Sequence, residues 1–266
     1  MVGMIDIHAH ILPGLDDGPK EWDESLAMAR QAAADGITTI VATPHVIAGR
    51  YENSCEVVAE RVQEFQERLS RSRLEIRVLP GGEVFFEDGL VGAIKSGRVP
   101  SVCNAGKYAL IEFPLGGIPA AAERMVFELA VNGVTPVIAH PERNEDVIRD
   151  PNNLYRLVER GALAQVNAGS LIGEFGRRVL ETAQVLVTHR MVQIIASDAH
   201  SSRHRPFRLA AALNEARRLV GREQAEAMVE DIPAKVIAGE DVPLQSPKPY
   251  SRRKGFFARL VGATLG

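Results

Sequence analysis

Seven short runs rich in valine and isoleucine recur along the chain, separated by longer stretches of helical periodicity. They cover Met4–His10, Ile37–His45, Arg77–Phe85, Tyr108–Phe113, Thr135–His140, Leu163–Asn167 and Val192–His200. Their near-continuous hydrophobicity suits strands buried on both faces, as in a parallel sheet covered by helices. Helices are predicted over Glu21–Asp35, Ser54–Ser72, Ala120–Asn132, Asn152–Arg160, Arg177–His189 and Arg208–Leu219. Gly36, Gly133 and Gly161 stand just past three of them, where a left-handed cap residue is expected. Such alternation builds either an open doubly wound sheet or a closed β/α barrel, and the pattern alone does not separate the two. At 266 residues one large core is plausible. No linker interrupts the pattern before about Pro243, so residues 1–242 are expected to form one unit, followed by a tail over 243–266.

Composition excludes several classes. A formal net charge of -3 and a pI near 6.2 argue against nucleic-acid binding, which usually needs a basic face. No apolar run approaches the ~20 residues of a membrane span, and MVGMIDIHAH lacks the pattern of a secretory leader. With Cys55 and Cys103 alone, a disulfide framework is not expected, and a reducing cytoplasm is the default location. The tail differs in character. No acidic residue follows Asp241, whereas Lys248, Arg252, Arg253, Lys254 and Arg259 are basic and Phe256, Phe257, Leu260 and Val261 recur at roughly helical spacing. Such a segment suits contact with a partner or with an anionic surface at the inner membrane face; a frayed, solvated tail is the plainer alternative. Oligomeric state is left open.

The chemistry concentrates at the ends of the apolar runs. His8 and His10 are two apart on a strand, so both imidazoles project from one face and offer two ligands from one rigid element. Later runs end in or contain His45, Glu83, Glu112, His140 and the pair Asp198 and His200, which repeats the spacing of two. Carboxylates inside apolar runs, such as Glu83 and Glu112, cost several kcal/mol unless a cation or donors face them. In α/β barrels the C-terminal strand ends converge on one mouth, so a shared cluster of metal ligands is expected. Asp17, in Leu-Asp-Asp-Gly-Pro, is the preferred ligand over Asp16, and Asp6 is expected to orient a histidine from behind.

The ordered motifs I-D-I-H-A-H, L-D-D-G-P, T-P-H, G-G-E, A-L-I-E-F, V-I-A-H-P-E-R and I-A-S-D-A-H resemble those of the polymerase and histidinol phosphatase superfamily. More narrowly, they look like the bacterial manganese-dependent protein-tyrosine phosphatases of capsule and exopolysaccharide operons. The resemblance covers about residues 4 to 240. It implies a distorted seven-stranded β/α barrel with three metal ions. It also implies His8, His10, Glu83 and Asp198 around one ion, Glu83, Glu112 and His140 around a second, and Asp17, His45 and His200 around the third. Four carboxylates against three divalent ions would leave net positive charge for a phosphate dianion. Oxygen and imidazole donors suit Mn2+, Fe or Zn, with manganese the family's usual ion. A water shared by two ions would be deprotonated near neutral pH and supply the nucleophile. Arg143 and Arg205 match family positions and can fork onto phosphate oxygens. The implied substrate is a phosphotyrosine-bearing protein, in particular a bacterial tyrosine autokinase. A small-molecule phosphatase such as histidinol-phosphatase and a metal-stabilised binding module without turnover are the alternatives.

Cys55-Glu-Val-Val-Ala-Glu-Arg61 has the Cys-x5-Arg spacing of cysteine-based tyrosine phosphatases. That chemistry needs a loop of converging N–H groups and a low-pKa thiolate. This segment reads as helix, lacks glycine and carries two glutamates near the thiol, so it is rejected as a catalytic site. His204 is a candidate acid for the leaving group, and His189 is expected in a loop.

Overall fold

The computed structural model describes residues 3–243 and 245–251. Its strands are β1 (Met4–Ala9), β2 (Ile37–Ala42), β3 (His45–Val46), β4 (Arg77–Pro80), β5 (Glu83–Phe85), β6 (Tyr108–Glu112), β7 (Thr135–Ala139), β8 (Leu163–Asn167) and β9 (Ile194–Ala196). All ladders are parallel, in two sheets of order β1-β2-β4 and β3-β5-β6-β7-β8-β9.

The continuous hydrophobicity of the strands has the anticipated cause. Leu110, Val137, Leu163 and Ile194 point into one apolar layer with Ile5, Ile7 and Val41. Their neighbours Ile111, Ile138, Ala164 and Ile195 point into the other, which the helices cover. Period-two alternation thus puts both sets in cores. The helix Cys55–Arg71 shows how a covering helix is specified: Val58, Val62, Phe65 and Leu69 form its buried stripe, and the Ser54 side chain accepts from the Val57 N–H at the first turn. Gly36, Gly133 and Gly161 all have positive φ.

Two predicted strands are each broken in two. Residues Ile37–His45 divide around Thr43-Pro44, and Arg77–Phe85 around Gly81-Gly82. Pro44 has no N–H to give a ladder, although its carbonyl still accepts from Glu83 N at 3.1 Å. A Cβ on Gly82 would stand 2.8 Å from Pro100 Cγ, so glycine is required where the chain enters β5. Pairing resumes with His45 opposite Glu83, which sets these two functional side chains side by side.

The expectation of a seven-stranded barrel is met only in its coarser part, a mixed α/β fold with parallel sheets; no closed barrel forms among the described residues. At their C-terminal ends β1 and β9 approach, with Asp198 N donating to His8 O and His10 N to Ala199 O, both at 2.8 Å. At their N-terminal ends they part. There Ile5 N donates to Val229 O at 2.8 Å and Ile195 N to Met228 O at 3.1 Å, so the segment 228–229 replaces a direct ladder.

The chain does not leave the body at residue 242. Tyr250 packs on the core, its N–H donates to Asn152 Oδ1 at 2.8 Å, and Lys248 N donates to His189 O at 2.8 Å. His189 itself caps the helix Arg177–Thr188. The basic stretch from Arg252 to Arg259 and the apolar residues beside it lie outside the described residues. Among the described residues no helix is long and apolar enough to cross a membrane.

Candidate metal centre

The sheets bring together every metal-ligand candidate named from the sequence. Glu83, fully buried at the start of β5, is the hub. Its Oε2 lies 3.3 Å from His8 Nε2, 3.3 Å from His10 Nε2 and 3.0 Å from His45 Nδ1, and its Oε1 lies 2.8 Å from His140 Nε2. Asp198 Oδ1 faces His8, His10 and His200 at 3.5, 3.6 and 3.4 Å. Asp17, half exposed at the rim, approaches His45 Nε2 at 3.6 Å and His200 Nε2 at 3.4 Å. Glu112 reaches His45 and His140 at 3.6 and 3.7 Å.

Three groups of donor atoms are close enough to hold an ion: His8, His10 and Asp198; His45, Glu83 and Glu112; and His10, Asp17, His45 and His200. These cut across the partition the resemblance implies. His10 also faces the third group, His45 also faces Glu83 and Glu112, and His140 hydrogen-bonds Glu83 directly.

The donor set fits divalent cations. Among the described residues Glu83 Oε2, His45 Nδ1 and His200 Nε2 are buried without a hydrogen-bond partner, an arrangement that costs several kcal/mol unless something else satisfies them. Charge points the same way. Burial alone would depress the His8 imidazolium, yet Glu83 and Asp198 outweigh it and lift its pKa to about 9. His10 is also raised against burial, by Asp16 and Glu83. Burial first, and then the neighbouring Glu83 charge, push Glu112 up, whereas the surrounding imidazoles hold Glu83 well below the usual carboxylate range. The cage attracts cations.

Behind the ligands stands a polar layer that the sequence reading missed. The Asp16 carboxylate accepts from His10 Nδ1 at 2.6 Å and from the backbone N–H groups of Gly18 and His45. Gln165 Oε1 meets His8 Nδ1 at 2.9 Å, and Asn167 Nδ2 donates to Asp198 Oδ2 at 2.6 Å. Buried Glu142 accepts from Asn167 N and Ser170 Oγ. Asp6 does not touch an imidazole as anticipated. Its Oδ1 accepts from the backbone of His8 and Ser197, each at 3.1 Å, tying β1 to the end of β9, and burial raises its pKa to about 6. The local signal for Asp16 was its place six residues after His10; Gln165 and Asn167 offered only their spacing of two in an apolar strand.

Two ligand candidates sit in the left-handed region, His140 at φ 31 and Asp198 at φ 54. This conformation is costly for residues with a Cβ and persists where the surroundings enforce it. Here it turns each side chain inward at a strand end.

Arg143 and Arg205 converge on Asp198 Oδ2, Arg143 Nη1 at 3.3 Å and Arg205 Nη2 closer still. Both keep part of their surface exposed at the mouth, and the Arg143 guanidinium lies 4.8 Å from the centre of the Phe175 ring. His204 is exposed near Arg205, in a groove of about 490 Å³ that Asp17 and His200 also line.

The cysteine motif is elsewhere employed. Cys55 is the first residue of its helix, its Sγ donates to Gly97 O, and burial and Glu56 raise its pKa. Arg61 lies over the Trp22 ring at 5.7 Å. Cys55→Ser is therefore expected to leave any turnover supported by the cage unchanged within error; inactivation by this substitution would revive a thiol mechanism.

Residues 4–238 match the family model described as capsular polysaccharide synthesis, CpsB/CapC. Tyrosine-protein phosphatase YwqE of Bacillus subtilis is 38% identical over 96% of this chain and its own full length. Tyrosine-protein phosphatase CpsB of Streptococcus pneumoniae is 28% identical over 88% of this chain and 98% of its own. In three dimensions the chain superposes with a TM-score of 0.90 and 37% identity, over 94% of its length, on a chain from the crystal structures of YwqE and CpsB, described as metal-dependent tyrosine phosphatases. With a family match over residues 4–238, near-complete coverage of its relatives and a matching fold, the chain belongs to the CpsB/CapC family of capsular polysaccharide synthesis.

Proposed function

We propose that this protein is a metal-dependent protein-tyrosine phosphatase of capsule or exopolysaccharide synthesis, with manganese as its working ion and a cytoplasmic tyrosine kinase as its substrate. The observation that carries the reading is the convergence of three donor groups on one rim with Arg143 and Arg205, which meet at Asp198. The names of the relatives support the phosphotyrosine substrate. Donors limited to oxygen and imidazole support manganese over a thiophilic ion. Residues up to about 242 are proposed to carry the site; for the basic tail, contact with a partner or membrane surface stands beside a solvated tail as the alternative.

Bound divalent ions would supply Lewis acidity and an activated water. His8, His10, Glu83 and Asp198, with Glu112, His140, Asp17, His45 and His200, would hold them. Arg143 and Arg205 bind the phosphoryl oxygens and offset charge gathering there in the transition state. A tyrosine leaving group, of pKa about 10, departs with little help from an acid, which leaves exposed His204 free of any required role.

A panel of phosphate esters with Mn2+, combined with elemental analysis of the purified protein, tests the reading. Turnover of phosphotyrosyl peptide well above that of histidinol phosphate is expected; the reverse preference, or no turnover of either, overturns it. Arg205→Lys, which keeps the charge but loses the planar fork, should raise KM for the peptide by about 10-fold.

A further inference from the structure

Gln165 and Asn167 are both fully buried, two residues apart on one face of β8, and a primary amide has no preferred orientation of its own. Their orientation here follows from a group outside the pair. Asp198 Oδ2 already receives Arg143 and Arg205, which can only donate, so this oxygen carries no proton. The Asn167 group 2.6 Å from it must then be the amino group. That turns Asn167 Oδ1 toward Gln165, where it accepts from Gln165 Nε2 at 2.9 Å. Gln165 in turn has only its oxygen left for His8 Nδ1, 2.9 Å away. A ring nitrogen facing a carbonyl oxygen bears the proton, so in the neutral ring that binds metal the lone pair is left on Nε2. Nε2 is the atom that stands 3.3 Å from Glu83 Oε2 and 3.5 Å from Asp198 Oδ1.

We infer that Gln165 and Asn167 are positioning residues that relay the charge of Asp198 through two amides to fix the tautomer of His8, with Nδ1 protonated and Nε2 presented to a metal ion. The relay makes Asp198 act twice on one site, directly through Oδ1 and at a distance through Oδ2. Glu142 holds the middle of the chain in place by accepting from Asn167 N at 3.0 Å. His10 needs no relay, because the Asp16 carboxylate faces its Nδ1 at 2.6 Å and can only accept. The two imidazoles of the H-x-H pair thus reach the same tautomer by different routes.

The inference rests on His8 being a metal ligand, and the test separates the two. Zn2+ is the probe, since it is diamagnetic and takes the same donors, and the full-length protein is used throughout. Two-bond 1H–15N spectra of the zinc-loaded parent should show His8 protonated at Nδ1; protonation at Nε2 overturns the relay without any variant. By chelator competition, Gln165→Leu should weaken Zn2+ binding by about 10- to 100-fold, while Gln165→Glu, which keeps an oxygen acceptor at Nδ1, should return to within about 5-fold of the parent. Asn167→Leu, which frees the Gln165 amide to turn over, should weaken binding and give a second His8 tautomer in the spectra. Unchanged affinity in Gln165→Leu, or a Gln165→Glu as weak as the leucine variant, overturns the relay. His8→Ala is the control: if it binds Zn2+ like the parent, the ligand assignment fails, whereas a weak His8→Ala beside a normal Gln165→Leu sinks the relay alone.

Discussion

Glu83→Gln is expected to lower turnover by about 10³-fold or more and to reduce the metal content of the purified protein. The substitution conserves volume, so packing in this fully buried site is little disturbed. It removes the one carboxylate that four imidazoles share, at 2.8 to 3.3 Å. It also puts an amide N–H where only acceptors serve a cation. Asp198, the next most connected carboxylate of the cage, faces three imidazoles, so the loss of Glu83 spreads across adjacent groups rather than one. Turnover on phosphotyrosyl peptide and elemental analysis of the same preparation check the result. A glutamine variant with parental metal content and rate would show that the ions, if bound, sit elsewhere.

Removal of the ions should lower the melting temperature markedly. A ligand present at about 100 times its Kd stabilises the folded state by about 2.7 kcal/mol per site, and each kcal/mol moves the midpoint of a chain this size by about 2–4 °C. Chelation should therefore cost at least about 5 °C, and more if several ions leave. The size of the gap should depend on pH. His8 has a raised pKa in the metal-free fold, about 9 against an ordinary 6.5. A raised histidine stabilises the fold fully below its unfolded value, and that contribution is lost as pH climbs through the folded value. Metal-free protein should thus lose stability between about pH 6.5 and 9, in the range where deprotonated imidazoles bind metal best. The difference between loaded and chelated melting temperatures is expected to widen with pH. Scanning calorimetry of both forms across this range checks it, and coincident melting curves after verified metal removal would contradict a structural role for the ions.

Part of this molecule is written in local sequence. Apolar residues on both faces of each strand require two covering layers, and the buried sets around Leu110 and Ile111 are the outcome. His8 and His10 share a face because strand side chains alternate. A carboxylate such as Glu83, set in an apolar run, needs cations or donors wherever it ends up. These are properties of a residue and its near neighbours, so they are legible without coordinates.

Other features depend on partners far along the chain. Proline 44 and the Gly81-Gly82 pair interrupt two strands, but only the pairing of His45 with Glu83 shows what the interruption is for. The parting of β1 from β9 follows from carbonyls of Met228 and Val229 that no strand pattern announces. Asp16 displaced Asp6 as the carboxylate behind an imidazole, because the turn after β1 folds it back onto His10 Nδ1. Gln165 and Asn167 look like ordinary polar residues in a buried strand until Asp198 and His8 are brought to either end of them. Sequence alone therefore singled out the candidate metal ligands and the strand–helix pattern that carries them. Only the tertiary structure decided how those candidates group and which atoms orient them, since contacts such as that of His8 with Gln165, 157 positions apart, are set by the packing of the sheets.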